Sequence, residues 1–185
     1  LAGATLVVQP MWDAAAWARL VEEEGATFSG LIPTMMLDAL NTDAAVERDT
    51  SSLDQVVYGG SPATEDTLDA FQATFEVGAL RNYYGQTENT GLSVTFAPET
   101  ERRQGLLGRP VSAVEHRVVE ITSEDLVDVA PGEEGELLLR GDIITPNYWD
   151  ESLNDAAFTD GWLHTDDAVR EDENGLVYYV DRVDD

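Results

Sequence analysis

The first half of the chain alternates between strand-like and helix-like patterns of hydrophobic residues. Short apolar runs predict strands over residues 4–8, 27–32, 53–58 and 79–84. Apolar residues spaced three and four apart predict helices over residues 14–24, 33–40 and 63–75. Asp13 suits the N-cap of the first helix, and Gly25 suits its C-terminal end. Such alternation is typical of a parallel sheet with helices packed on its faces.

After residue 97 the pattern changes to short strands separated by turns. The predicted strands cover residues 114–121, 126–129, 135–140, 168–171 and 176–181. The segments 131–135 and 173–175 carry the glycine, proline and asparagine that favour tight turns. We therefore predict an α/β fold: a parallel sheet with flanking helices over 1–97, then a small antiparallel β-barrel-like subdomain over 98–181.

The charge and composition of the chain exclude several classes of function. Ten basic and 37 acidic residues among 185 give a formal net charge of −27, which repels nucleic acids and anionic membranes. The absence of cysteine excludes thiolate metal sites and disulfides. No apolar run approaches the roughly 20 residues that a membrane span needs, so we expect no membrane span.

All basic residues are arginines, and an acid-rich, lysine-free composition favours a cytoplasmic protein of a halophile. At molar salt the Debye length is about 3 Å, so the self-repulsion of the acidic residues is largely screened there. The chain opens on Leu1 rather than methionine and ends at Asp185 without a tail, so we expect a piece of a longer protein. The sequence does not indicate an oligomeric state.

A dense cluster of polar and aromatic residues follows the predicted strand 79–84, at the kind of strand end where α/β proteins bind ligands. Tyr83 and Tyr84 offer an aromatic face for a base, and Gly85 permits close approach of the backbone. Thr87 can donate to a phosphate, and Glu88 can bind Mg²⁺. The alternative interpretation is an ordinary polar loop.

Two further segments, 160–167 and 178–182, carry candidate binding residues. Asp167 can accept two hydrogen bonds from a ribose diol, and Arg182 can donate a fork of hydrogen bonds to ribose or phosphate oxygens. The alternative is that Asp166 and Asp167 form one more solvated acidic pair.

The order and spacing of these segments resemble the adenylate-forming superfamily of acyl-CoA synthetases, firefly-type luciferases and peptide-synthetase adenylation domains. The resemblance covers nearly the whole chain. It rests on Gly59-Gly60-Ser61-Pro62, Tyr84-Gly85-Gln86-Thr87-Glu88, Gly135 to Gly141 with Tyr148-Trp149, Gly161 to Asp167, and Asp181 to Asp185.

The resemblance implies a role for each matching residue. Tyr84 would stack on adenine beside Tyr83 and Gly85, and the adenine pocket would be lined by Gly59, Gly60 and Ser61. Thr87 and Glu88 would be the catalytic residues, with Thr87 on the α-phosphate and Glu88 on Mg²⁺. Asp167 and Arg182 would hold the ribose, and residues 182–185 would begin a hinge centred on Asp185. Residues 27–36 would contribute to the acyl pocket, although Met35 and Met36 equally suit ordinary core packing.

The implied reaction joins a carboxylic acid, in our interpretation a fatty acid, to ATP and then to CoA. The implied ligands are therefore ATP or AMP, Mg²⁺, CoA and a small-molecule carboxylate. The sequence contains neither the phosphate loop ending in lysine nor any other lysine, so we expect this chain alone to be inactive. Asp166 stands where the family usually has glycine, and Asp184 where a lysine commonly precedes the hinge aspartate.

Two other functions remain open from the sequence, and a third is disfavoured. The chain could activate another carboxylate such as an amino acid, or it could be a non-catalytic acidic binding module. A serine hydrolase would use Ser61 with His164 and Asp167, but Pro62 follows Ser61 and lacks the backbone N–H that an oxyanion hole needs.

Overall fold

The computed structural model describes residues 3–97, 101–121 and 125–183. The chain divides into two compact units, Leu1–Arg81 and Asn82–Asp185. The end of the strand Ala79–Tyr84 pairs with a strand of the second unit, Tyr83 with Thr95 and Tyr84 with Val94.

The first unit has the predicted alternation of strands and helices. Its elements are α1 (Ala14–Glu24), β1 (Phe28–Leu31), α2 (Pro33–Leu40), α3 (Asp43–Val46), β2 (Gln55–Gly59), α4 (Glu65–Thr74) and β3 (Ala79–Tyr84). Strands β1 and β2 are parallel, with Phe28 opposite Gln55 and Leu31 opposite Tyr58. Strand β2 lies between β1 and β3 in the sheet order. The predicted parallel arrangement is thus confirmed for β1 and β2.

Local signals set the limits of α1. The Asp13 carboxylate accepts a hydrogen bond from the Ala16 N–H at 2.7 Å, and Gly25 adopts the left-handed conformation that ends the helix. The buried face of α1 packs Trp17 against the aromatic rings of α4. The Trp17 ring lies edge-on to Phe75, with ring centroids 5.2 Å apart, and Phe71 and Phe75 are fully buried.

One prediction for the first unit was wrong. Residues 4–8 form no strand, and Leu6 and Val8 are 85% and 70% exposed. An apolar run forms a strand only where a neighbouring backbone pairs with it, and β1 and β2 pair instead with each other. The polar segment after α2 contains the short helix α3, which has too few residues to show a hydrophobic period.

The second unit continues from β3 into an antiparallel sheet. Its elements are β4 (Val94–Thr95), β5 (Leu106–Pro110), β6 (Glu115–Val119), β7 (Glu134–Arg140), α5 (Asn154–Ala157), β8 (Phe158–Thr159), β9 (Trp162–Glu171) and β10 (Val177–Arg182). The strand order is β3-β4-β5-β10-β9-β7-β6, and β8 pairs with β9. The core under this sheet includes Leu137, Leu139, Val169 and Val177.

The antiparallel character of this unit is confirmed, while the barrel-like closure is not shown by these pairings. Strands β4 and β5 were missed. The predicted strand 126–129 is reduced to a single bridge between Val119 and Asp128. Strand β9 is longer than predicted and begins at Trp162, so the segment that carries Asp167 is itself a strand.

The described residues contain no helix that is both long and apolar enough to cross a membrane. Asp184 and Asp185, the predicted hinge residues, lie outside the described residues. The cytoplasmic location, the subdomain limits and the hinge at 182–185 stay predictions.

Candidate functional site

Asp167 is the centre of the candidate site in the second unit. It lies on β9 with only 5% of its surface exposed. Its Oδ2 accepts hydrogen bonds from the Tyr84 hydroxyl at 2.5 Å and from Gln86 Nε2 at 2.9 Å. Its Oδ1 accepts from Arg182 Nη1 at 3.0 Å. The structure therefore brings together three of the predicted nucleotide-binding residues, Tyr84, Asp167 and Arg182.

The pairing of β9 with β10 sets this geometry, because Arg182 lies directly opposite Asp167 in the antiparallel register. The Thr165 carbonyl completes the arrangement by accepting from Gln86 Nε2 at 2.8 Å and from Arg182 Nη1 at 3.0 Å. The Thr165 hydroxyl donates to the Leu137 carbonyl on β7 at 2.7 Å. Gln86 and Arg182 thus each bridge the backbone of Thr165 and the side chain of Asp167.

Charge and burial keep Tyr84 and Arg182 in fixed protonation states. Burial, together with the nearby Asp167 carboxylate, raises the pKa of the Tyr84 hydroxyl well above its usual range. The hydrogen bond between Arg182 and Asp167 raises the pKa of the Arg182 guanidinium. Tyr84 is therefore a neutral donor and Arg182 a cation across the physiological range, and both can hold Asp167 in place.

Asp166 adopts a left-handed backbone conformation with φ of 55°. Aspartate is one of the few residues other than glycine that tolerate this region, so the exchange of glycine for aspartate preserves the turn. The Asp166 N–H donates to Glu136 Oε1 at 3.2 Å, and its carbonyl accepts from the Val183 N–H at 2.9 Å. Its carboxylate lies 3.7 Å from Arg182 Nη2, so Asp166 adds a second, weaker ion pair to Arg182.

Glu136 supports the site from β7, and the sequence analysis missed it. It is only 7% exposed. Its Oε2 lies 2.9 Å from His164 Nδ1, while His164 Nε2 lies 3.0 Å from the Thr159 hydroxyl. Both ring nitrogens of His164 are thus paired away from Asp167, so the His–Asp pair that a serine hydrolase needs does not form.

The loop after β3 carries Thr87 and Glu88 in a turn of 3-10 helix over Thr87–Asn89. The Glu88 carboxylate accepts the Tyr148 hydroxyl on Oε1 at 2.7 Å, and the Glu88 carbonyl accepts the Thr145 N–H at 2.6 Å. Thr87 is exposed to solvent. Gly85 is required here, because a Cβ at this position would lie 2.3 Å from the Gly91 carbonyl.

The arrangement around Glu88 fits Mg²⁺. The described residues contain no group of three or more side chains able to hold a metal ion. Mg²⁺ does not need such a group, since it usually binds to one or two carboxylates and completes its shell with waters and substrate phosphates. Among the described residues, Glu88 Oε2 has no hydrogen-bond partner and can serve as such a ligand.

Tyr83 precedes Tyr84 on β3, is half-buried and belongs to the second unit. The predicted residues before it lie in the first unit. Gly59 ends β2 and is buried, while Gly60 and Ser61 follow it and are exposed. Gly60 has a φ of 82°, which explains why glycine stands there. In the proposed acyl segment Met36 is fully buried in the core, and Phe28 and Ile32 are exposed. Core packing is therefore the confirmed interpretation of Met36.

Comparison with known proteins identifies the family. Residues 1–149, which make up most of the chain, match the family described as AMP-binding enzyme. The chain belongs to this family. Membership confirms the resemblance to adenylate-forming enzymes that the motifs indicated.

Individual AMP-binding relatives are similar over nearly all of this chain. The 4-coumarate–CoA ligase-like protein 6 of Oryza sativa subsp. japonica is 35% identical over 98% of this chain and 30% of its own length. The medium/long-chain-fatty-acid–CoA ligase FadD8 of Mycobacterium tuberculosis is 34% identical over 99% of this chain and 32% of its own length. The chain therefore spans about a third of these relatives.

A solved structure of a CoA ligase has the same fold. The anthranilate CoA ligase AuaEII, in complex with anthranoyl-AMP, superposes with a TM-score of 0.85 at 26% sequence identity. The match covers 99% of this chain and 35% of that protein. The mixed α/β architecture, with a parallel segment followed by antiparallel strands, is therefore that of an AMP-binding enzyme.

Proposed function

We propose that this chain is the part of an AMP-forming acid–CoA ligase that holds the nucleotide. In this reaction a carboxylate oxygen attacks the α-phosphorus of ATP and pyrophosphate leaves. The CoA thiol then attacks the acyl carbonyl, and AMP leaves. The related proteins named above as CoA ligases, and the anthranoyl-AMP complex, support this reaction class.

The observation that carries the proposal is the convergence of Tyr84, Gln86 and Arg182 on the Asp167 carboxylate. A ribose diol presents two hydroxyl donors, and an ionised carboxylate can accept about four hydrogen bonds. Asp167 therefore retains capacity for a ribose hydroxyl while its three protein donors fix its orientation. Arg182 is partly exposed and can also donate to the ribose.

The proposal assigns a role to each residue around this carboxylate, and the geometry and the resemblance support these roles. We assign adenine stacking to the ring of Tyr84, whose hydroxyl is anchored on Asp167. Thr87 would donate to the α-phosphate, because its hydroxyl is exposed and accessible to a ligand. Glu88 would hold Mg²⁺, which when bound neutralises phosphate charge. Tyr83 and Gly85 flank Tyr84, on β3 and in the following loop, and keep their predicted place beside the adenine as part of the proposal.

We further propose a fatty acid as the carboxylate, with Phe28 and Ile32 as the exposed apolar side chains of the acyl segment. The likeness to a fatty-acid–CoA ligase supports this choice, while the equal likeness to a 4-coumarate–CoA ligase-like protein makes an aromatic acid the second candidate. Activity of this chain alone is not expected, because it has no lysine to neutralise the transferring phosphates. Gly59, Gly60 and Ser61 keep their predicted adenine-lining role as part of the proposal.

The test is calorimetric titration of this chain in molar KCl with a non-hydrolysable acyl-sulfamoyl adenylate. We expect binding by the wild type and a loss of about 1.5 to 3 kcal/mol in Asp167→Ala, the usual range for hydrogen bonds to a charged group. Asp128→Ala is the control. Asp128 forms an ion pair with Arg117 in the same unit, and neither residue is one of the proposed binding residues. Equal affinity of wild type and Asp167→Ala would contradict the assignment of Asp167 to the ribose.

A further inference from the structure

Tyr148 makes a contact that the proposed function does not use. Its hydroxyl donates to Glu88 Oε1 at 2.7 Å, although 60 residues separate the two in the sequence. This bond occupies one oxygen of the carboxylate proposed to hold Mg²⁺ and leaves Oε2 without a partner among the described residues. A carboxylate held in this way presents a single oxygen in a fixed direction.

The segment that carries Tyr148 also holds the backbone of Glu88. The Thr145 N–H donates to the Glu88 carbonyl at 2.6 Å. The Thr145 hydroxyl in turn donates to the Asn147 carbonyl at 3.0 Å, which stiffens the short stretch between the two contacts. Glu88 is therefore held at its main chain by Thr145 and at its side chain by Tyr148, two residues only three apart. These two contacts limit rotation of the Glu88 side chain about its own bonds.

Tyr148 is itself fixed by the residues that follow it. Its N–H donates to Asn154 Oδ1 at 2.7 Å, and its ring packs beside Phe158 with ring centroids 6.0 Å apart. The neighbouring Trp149 is fully exposed and contributes no such support. The contacts of Tyr148 are thus directed inward, to α5 and β8 on one side and to Glu88 on the other.

We propose that Tyr148 is a positioning residue that orients Glu88 for a divalent cation bound with the nucleotide. This inference rests on the proposed function. The physical reason is that partners behind a metal-binding carboxylate fix its rotamer, so that the ligand oxygen already points at the metal. A carboxylate free to rotate would pay that ordering cost each time the metal binds.

The experiment compares ATP binding by wild type and Tyr148→Phe, measured by calorimetry in molar KCl at a series of Mg²⁺ concentrations and in EDTA. Phenylalanine keeps the ring that packs on Phe158 and removes only the hydroxyl. We expect the Mg²⁺ affinity of the complex to fall about tenfold, since loss of a partner behind a metal ligand typically costs 10- to 100-fold. The affinity for ATP in EDTA should be unchanged. Glu88→Gln should lose the Mg²⁺ dependence of ATP binding altogether.

Tyr178→Phe is the matched control. Tyr178 lies on β10 in the same unit, and its ring contacts Arg170 rather than any proposed binding residue. This variant should keep the full Mg²⁺ dependence of ATP binding. A melting temperature recorded for each variant separates a loss of fold from a loss of positioning.

The outcomes separate the inference from the proposed function. If Tyr148→Phe lowers only the melting temperature and keeps the wild-type Mg²⁺ dependence, Tyr148 is merely structural and the inference is wrong. If the wild type binds neither the adenylate mimic nor ATP with Mg²⁺, the proposed function fails and the inference fails with it. A selective loss of Mg²⁺ affinity in Tyr148→Phe supports both.

Discussion

Tyr84 and Asp167 are 83 residues apart in the sequence, yet the Tyr84 hydroxyl donates to Asp167 Oδ2 at 2.5 Å. The bond joins the end of β3 to the middle of β9, with the partly buried Tyr84 ring packed against the core of the second unit. The Tyr84 side chain thus has two proposed contributions: its ring stacks on adenine, and its hydroxyl orients the Asp167 carboxylate for the ribose. The two contributions can be separated by mutation.

Tyr84→Phe should remove the hydrogen bond and keep the ring, whereas Tyr84→Ala should remove both. Loss of the bond to a charged acceptor should lower the free energy of unfolding by about 1.5 to 3 kcal/mol. Loss of the ring should weaken binding of the adenylate mimic by a further 1 to 3 kcal/mol or so, the range for stacking on a base. Urea unfolding and calorimetry measure the two effects. Equal affinities in the two variants would remove the case for stacking.

Glu136→Gln should loosen the turn that carries Asp167, because Glu136 accepts from both the Asp166 N–H and the His164 ring. We expect a fall of about 1 to 3 kcal/mol in the free energy of unfolding, the cost of leaving buried partners unsatisfied. Affinity for the adenylate mimic should fall as well.

The matched control for Glu136 is Glu171→Gln. Glu171 forms the other His–Glu pair of the unit, with its Oε1 3.1 Å from His116 Nε2 and outside the proposed site. It should leave the affinity for the adenylate mimic unchanged. A loss of affinity equal to that of Glu136→Gln would assign both effects to general loosening of the sheet.

Asp166→Gly should be tolerated, because glycine adopts the φ of 55° without cost from a side chain. Asp166→Val should be destabilising by more than about 1 kcal/mol, since a β-branched residue is strained in the left-handed region. Urea midpoints of the two variants in molar KCl provide the comparison. If valine were as stable as glycine, the turn would not have the backbone conformation described for it.

Acid should destabilise the chain at molar salt. Hydrogen bonds from backbone and side-chain donors lower the pKa of the carboxyl groups of Glu22, Asp49, Asp150 and Asp172. A carboxyl with a lowered pKa in the folded state contributes stability above its usual pKa, near 4, and loses that contribution as the pH falls through the lower folded value. The melting temperature in molar KCl should therefore fall between about pH 5 and pH 3.

In dilute buffer the same acidification should act in the opposite direction at first. Protonation there reduces the net charge of −27, whose repulsion is unscreened at low salt. Melting curves recorded at several pH values in molar KCl and in dilute buffer test whether the melting temperature falls on acidification in the first and rises in the second. A melting temperature that rises on acidification in molar KCl would show that screening is incomplete and that the local hydrogen bonds are the minor effect.

The sequence predicted elements whose signals are local. Helix α1 was predicted residue for residue, because Asp13 and Gly25 mark its two ends and a buried apolar face lies between them. The strand at 4–8 was predicted wrongly, because pairing depends on a neighbour that an apolar run does not reveal. The two-residue strand β4 is too short to have a period.

The sequence predicted several residues of the candidate site, but it did not predict the hydrogen bonds between them. Asp167, Arg182 and Tyr84 were singled out by residue type and motif, but their shared hydrogen bonds depend on the register of β9 against β10. Glu136 stood inside the quoted segment Gly135 to Gly141 without an assigned role, because its partners lie 28 and 30 residues away. Gln86 stood inside a motif at a position without an assigned role, and only the geometry connects it to Asp167.

The end of β10 is joined to the turn that carries Asp167 by successive residues. Arg182 bonds to the Thr165 carbonyl and to Asp167, and the Val183 N–H bonds to the Asp166 carbonyl. A displacement of Val183 would therefore be transmitted through these hydrogen bonds to the Asp167 carboxylate. The proposed binding of a ribose at that carboxylate would therefore depend on where the backbone leaving β10 is held.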